Sequence, residues 1–171
     1  MAHDFLQRFR DLQAYVGWSE EDAERAKIVA RVIEPHMDTL IDDFYSEVQR
    51  HADSARVITG GKEQINRLSA SLAGWLRESV QARSDVEYVQ RRWRIGLRHA
   101  EIGLNAAYTS AAMSRLRNGI ISLISAEFRG SSRESAELIQ TVNKLLDLDL
   151  AIIQDAYECE HLRREKLAEQ E

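Results

Sequence analysis

Cysteine, proline and glycine are all scarce in this chain. Cys159 is the one cysteine in 171 residues. A lone cysteine excludes a disulfide framework, a CxxC redox pair and a thiolate zinc site, and it suits a reducing cytoplasm. One proline and eight glycines are too few for the tight turns of a strand-rich architecture, so long helices are expected. A basic excess is missing as well. Lys and Arg number 23 against 28 Asp and Glu, a net charge of −5, which argues against a nucleic-acid partner. No window approaches the roughly 18 uninterrupted apolar residues of a membrane span. The polar residues 1–9 do not form a signal peptide. What remains is 44% hydrophobic and 30% charged residues, a globular mixture long enough to close one core without a staple.

The sparse punctuation divides the chain into about seven helical segments. A short amphipathic stretch over 4–14 carries Phe5, Leu6, Phe9 and Leu12, and Gly17 and Trp18 interrupt it. Ser19-Glu20-Glu21-Asp22 reads as an N-cap with an acidic first turn, and Pro35 ends or kinks the helix that follows. Met37, Leu40, Ile41, Phe44, Tyr45 and Val48 fall at helical spacing over 36–51. Thr59-Gly60-Gly61 is the clearest break. Beyond it, Ile65, Leu68, Leu72, Trp75, Leu76 and Val80 form a strong amphipathic stripe. Ser84-Asp85-Val86-Glu87 reads as a capping box for a helix reaching about residue 104. A further helix over about 105–128 stops at Gly130, and Ser131 with Glu134 caps a last, long helix.

That last helix is apolar over a wide arc. Leu138, Val142, Leu145, Ile152 and Ala156 form one stripe; Ile139, Leu146, Leu150, Ile153 and Tyr157 form a second beside it. The second stripe either lies inside the domain or faces a second copy of the chain. The charged tail 161–171 is still good helix former without a stop signal. Residues 1–160 are therefore expected to be one domain, and 161–171 the start of a linker to another.

Most candidate chemistry has a bland reading. Gly60-Gly61-Lys62 lacks the spacing of a phosphate loop. Glu158 and His161 have di-iron helix spacing, but the residue three before His99 is Gly96, so the required second copy is missing. Glu47 with His51 reads as a surface pair, and Cys159 as inert. His99 differs. Tyr88, Ile95, His99 and Ile102 share one helix face, with Gly96 and Gly103 beside the histidine. Each glycine in a helix interior costs ~1 kcal/mol relative to alanine, and the pair leaves a flat space next to the imidazole. Two readings stand: a hydrogen-bonded core histidine, or the ligand of a planar cofactor.

The string Arg92-x-x-Ile95-Gly96-x-x-His99-x-x-Ile102-Gly103-Leu104, followed by Tyr108, resembles the proximal-helix signature of the globin-coupled sensor family. Upstream, Tyr15-Val16-Gly17-Trp18 and Asp43-Phe44-Tyr45 resemble that family's other marks, in order and at the expected distances. The likeness spans nearly the whole chain and is closest to the N-terminal globin domain of a globin-coupled histidine kinase. Ala106 and Ala107 stand where the signature often carries proline and tryptophan, a departure that bears on where the next helix starts.

The resemblance implies an all-α, globin-like fold with an extra N-terminal helix, a shortened or missing helix before Lys62, and dimerisation through the last two helices. It implies haem b as cofactor, with His99 the proximal iron ligand. Tyr45 would donate a hydrogen bond to bound O₂ from the distal side, because the ligand carries partial negative charge. Phe44, Leu68, Leu72, Ile95 and Ile102 would line the haem faces, with Ser71 a second polar group. The implied function is a non-catalytic sensor of O₂, another diatomic gas (CO or NO) or haem redox state. It would act in cis on a C-terminal output domain, a histidine kinase. A cofactor-free helical dimerisation module and an O₂- or peroxide-processing haem protein are the rivals. The stretch 62–83 holds no distal histidine for peroxidase chemistry.

Overall fold

The computed structural model describes residues 2–170, with side chains from residue 5. The side chains of His3 and Asp4 lie outside the described residues. Eight α-helices follow one another, and no strand occurs among the described residues: α1 (Ala2–Tyr15), α2 (Glu20–Ile33), α3 (Met37–Arg50), α4 (Ala52–Ala55), α5 (Gly61–Ser79), α6 (Val86–Glu101), α7 (Ala106–Glu127) and α8 (Ser132–Ala168). Pro35 sits in a single 3-10 turn, Glu34–His36, that bends the chain from α2 into α3.

α8 is the axis of the domain, and α1, α2, α5, α6 and α7 all lie against it. α3 packs on α5 and α7 instead. The main core gathers Val29, Ile33, Leu40, Leu76, Ile120, Leu138 and Leu146. A second, smaller core beneath α1 joins Phe9 to Tyr88, Leu148 and Ile152. There Phe5 meets Trp93 with ring centroids 4.5 Å apart.

Caps place the helix starts. Ser19 forms a capping box with Asp22, which satisfies backbone donors that the first turn leaves free. Asp22 is itself buried, and it accepts from Thr141 Oγ1 at 2.5 Å and Lys144 Nζ at 2.8 Å. The N-cap of α2 thereby also ties α2 to α8. Burial pushes this carboxyl up, but Lys144, Thr141 and the Ser19 N–H outweigh it and hold it below the usual carboxylate range. Ser131 and Glu134 form the expected box at the head of α8.

The expected box at Ser84 does not form. Asp85 caps α6 by accepting from the Tyr88 N–H at 2.8 Å, and Ser84 instead accepts from Gln13 at 3.2 Å. A carboxylate suits the positive end of a helix better than a hydroxyl. The C-terminal end of α6 also falls earlier than expected, at Glu101, and Gly103 follows with φ +77°. Asn105 then caps α7 through the Ala107 N–H at 2.9 Å, so α7 starts without the proline that the signature often carries.

The two stripes of α8 meet different fates. Leu138, Val142, Leu145, Ile152 and Ala156 are all buried in the domain. Of the second stripe, Leu146 and Ile153 are buried too, while Ile139, Leu150 and Tyr157 are half-buried. From His161 to Ala168 every residue of α8 is exposed.

Candidate functional site

His99 lies in the last turn of α6 and is half-buried. Its Nδ1 is cut off from solvent and has no hydrogen-bond partner. A hydrogen-bonded core histidine would have one. Burial lowers the imidazole pKa below its ordinary value, so the ring is neutral at pH 7 and keeps a nitrogen lone pair. That is the form a metal takes.

Tyr45 lies on α3, half-buried, with its ring edge-on to Phe44 at 5.1 Å. Burial pushes its hydroxyl up to about 12, so it stays a phenol and a donor. Phe44, Tyr45, Leu72 and Ile95 all pack against the main core. The structure thus brings residues of α3, α5 and α6 around one apolar region. Leu68 is half-buried on α5. Ser71 is exposed, and Ile102 is 39% exposed just past the last turn of α6. At the rim, Arg56 donates to Gly103 O at 3.1 Å and the Tyr108 hydroxyl to Asp53 at 3.2 Å. These bonds brace the segment after α3 against the corner between α6 and α7.

The glycines beside His99 do not make a flat space for a cofactor. A Cβ at Gly96 would stand 2.6 Å from Ile153 O and 2.9 Å from Ala156 Cβ. The missing side chain lets the backbone of α6 touch α8. Gly103 has open space around it and is needed for its positive φ at the end of α6, a conformation glycine adopts without strain.

Two buried polar groups escaped the sequence reading. Trp75 follows Leu68 and Leu72 on one face of α5, and its Nε1 is buried without a partner. Arg92, quoted above only as part of a motif, is 1% exposed and heads a buried ion-pair network. A signal for the network was present: Asp149 falls at stripe spacing between Leu145 and Ile152, on the apolar face of α8.

A lone imidazole cannot hold a metal by itself, so a metal here must bring its remaining donors with it. A porphyrin iron does so. The neutral unpartnered imidazole, the protonated phenol and the half-buried apolar side chains of α3, α5 and α6 suit such a group in kind.

The family model for protoglobin matches residues 5–163. The chain belongs to the protoglobin family. Among solved structures, the globin domain of the Geobacter sulfurreducens globin-coupled sensor is similar at a TM-score of 0.81 and 25% identity, covering 86% of this chain and 96% of that one. The globin domain of E. coli DosC is similar in fold at 16% identity. Its ferric form reaches 0.74 over 89% of this chain and 99% of its own, and its ferrous form 0.71 over 88% and 97%. The fold is therefore all-α and globin-like, as the resemblance implied. No helix among the described residues of this protoglobin is long and apolar enough to cross a membrane.

Proposed function

We propose that this protoglobin is a haem-binding sensor domain, with haem b held by His99 and a diatomic gas, O₂ foremost, as its ligand. The observation that carries the reading is the His99 imidazole, shielded, unpartnered and kept neutral by burial. The globin-coupled sensor from Geobacter and the ferric and ferrous forms of the E. coli neighbour support it. When bound, the haem supplies an iron centre with an open coordination position for a gas.

The chain's own residues do the rest. His99 would hold the iron through an imidazole nitrogen. Tyr45 offers a hydroxyl donor toward the distal side, and in an apolar pocket that hydrogen bond favours polar O₂ over less polar CO. Phe44, Leu68, Leu72 and Ile95 would shield the group from water, and Ser71 and Ile102, both exposed, would stand toward solvent. The domain has no reaction of its own. It signals in cis through α8 to an output domain, a histidine kinase, and pairs with a second copy through α7 and α8 in the cytoplasm.

An absorption spectrum of the purified chain, oxidised, reduced and reduced under CO, tests this reading. A Soret band that shifts with reduction and with CO is expected, and His99→Ala should abolish or greatly weaken it. A protein that stays colourless after hemin addition would leave a cofactor-free helical module. Native haem retention by His99→Ala would remove His99 as the ligand.

A further inference from the structure

α6 meets α8 at three successive levels, and two of them are polar. At the first, Arg92 and Asp149 are buried together, 1% and 0% exposed. Arg92 Nε donates to Asp149 Oδ2 at 3.3 Å. The Tyr88 hydroxyl donates to Oδ1 at 2.5 Å and the Ser79 hydroxyl to Oδ2 at 2.8 Å. Arg92 also reaches α5, where Nη2 donates to Trp75 O at 3.0 Å and Ser79 Oγ at 2.9 Å, and Nη1 pairs with Glu78. Its guanidinium stacks 3.9 Å from the Tyr88 ring centroid. One helical turn on, Gly96 rests on the backbone at Ile153. At the third level, Ala100 O accepts from Arg164 Nη2 at 3.2 Å, and Glu160, itself buried, holds Arg164 at 2.7 Å.

Stability does not require an ion pair at the first level, since well-packed apolar residues of similar volume often do as well. The ion pair adds direction. Four charged or polar groups from α5 and α8 converge with fixed geometry on the one guanidinium of α6, and Tyr88 of α6 adds a bond to Asp149, so α6 cannot slide on α8 without breaking several bonds together. Apolar side chains would let it slip. His99 follows Arg92 by seven residues, two turns on nearly the same face, and immediately precedes Ala100.

We propose that Arg92 is the positioning residue of the His99 helix, locking α5, α6 and α8 into one body so that any displacement at His99 is delivered to α8. This rests on the haem reading above. Asp149, Ser79, Tyr88 and Glu78 are the groups through which Arg92 acts.

Hydrogen–deuterium exchange on the haem-loaded chain tests it, comparing the reduced protein with and without CO. In the native chain, CO is expected to change exchange in the distal half of α8 at least twofold. In the double variant Arg92→Met/Asp149→Leu, the Soret band should persist while that change disappears. If the double variant does not fold, Ser79→Ala replaces it, and the CO-dependent change should fall by half or more. A native-sized change in the variant used, or no change at α8 in the native chain, overturns the proposal and leaves the haem reading intact. Absence of a Soret band in the native chain overturns both.

Discussion

α6 is fastened to α8 and to the C-terminal end of α5 by buried polar bonds, and to α8 by backbone contact at Gly96, whereas α3 and the part of α5 ahead of Trp75 rest on apolar packing, with ion pairs only at exposed edges. Arg77 grips Glu34 at 2.8 Å and Arg115 grips Asp43 at 2.8 Å, all four side chains well exposed. Both arrangements build a wall from the same kind of helix. Apolar packing is non-directional, so side chains such as Phe44, Leu68 and Leu72 can adjust around a guest. Buried hydrogen bonds have a fixed register, and a glycine contact has no side chain to compress. The side of the proposed site that carries His99 is built to hold its position, and the side that carries Tyr45 to adapt.

The contrast can be broken at several points. The largest effect is expected from Arg92→Met alone, which leaves Asp149 buried without its cation, held only by the Tyr88 and Ser79 hydroxyls. It should lower the unfolding free energy by about 3–5 kcal/mol, read from urea denaturation; a loss under about 1 kcal/mol would erase the difference between the walls. Gly96→Ala comes next, since its Cβ would overlap Ile153 O. Overpacking of this kind costs about 1–3 kcal/mol, and an unchanged denaturation midpoint would mean that the two backbones do not touch.

Tyr45→Phe probes the adaptable wall through ligand release rather than stability. Loss of one hydrogen bond of about 1 kcal/mol should speed O₂ release roughly fivefold. Because burial holds the hydroxyl at about 12, the native rate should stay flat as pH rises from 6 to 10. An unchanged rate in the variant would show that the hydroxyl does not reach the ligand. The smallest effect is expected from Arg115→Ala, whose exposed pair with Asp43 should leave the urea midpoint within error at any salt concentration. A loss comparable to that of Arg92→Met would mean that the distal wall is pinned as firmly as the other.

Much of this was legible from local rules. Helix order, the bend at Pro35, the break at Gly60-Gly61 and the caps at Ser19 and Ser131 follow from residues close together in the chain. The cap of α6 was misplaced by one residue because Ser84 and Asp85 are both good caps, and only the distant Gln13 shows where the serine is used. Gly96 was read as space for a guest because its neighbour Ile153 is far along the chain, and helix periodicity places a residue on a face without naming what covers it. Arg92 was hidden for the same reason, as its partner Asp149 comes from another helix. The exposure of Ser71 and Ile102 depends on where α6 ends and how α5 turns its faces, and spacing alone leaves both open.

The length of α8 turns these attachments into a question of leverage. Its 37 residues extend about 55 Å at 1.5 Å per residue, and the last stretch, from His161 to Ala168, is exposed throughout and reaches α6 through the Arg164 side chain. With the fulcrum at Asp149, the arm out to Ala168 is about 28 Å on the same rise per residue. A tilt of about 5° at that fulcrum would sweep the tip through roughly 2.5 Å on that arm. Sub-ångström adjustments around the pivot are thereby magnified at the far end, and a slack joint at Asp149 would squander the gain before it left the domain.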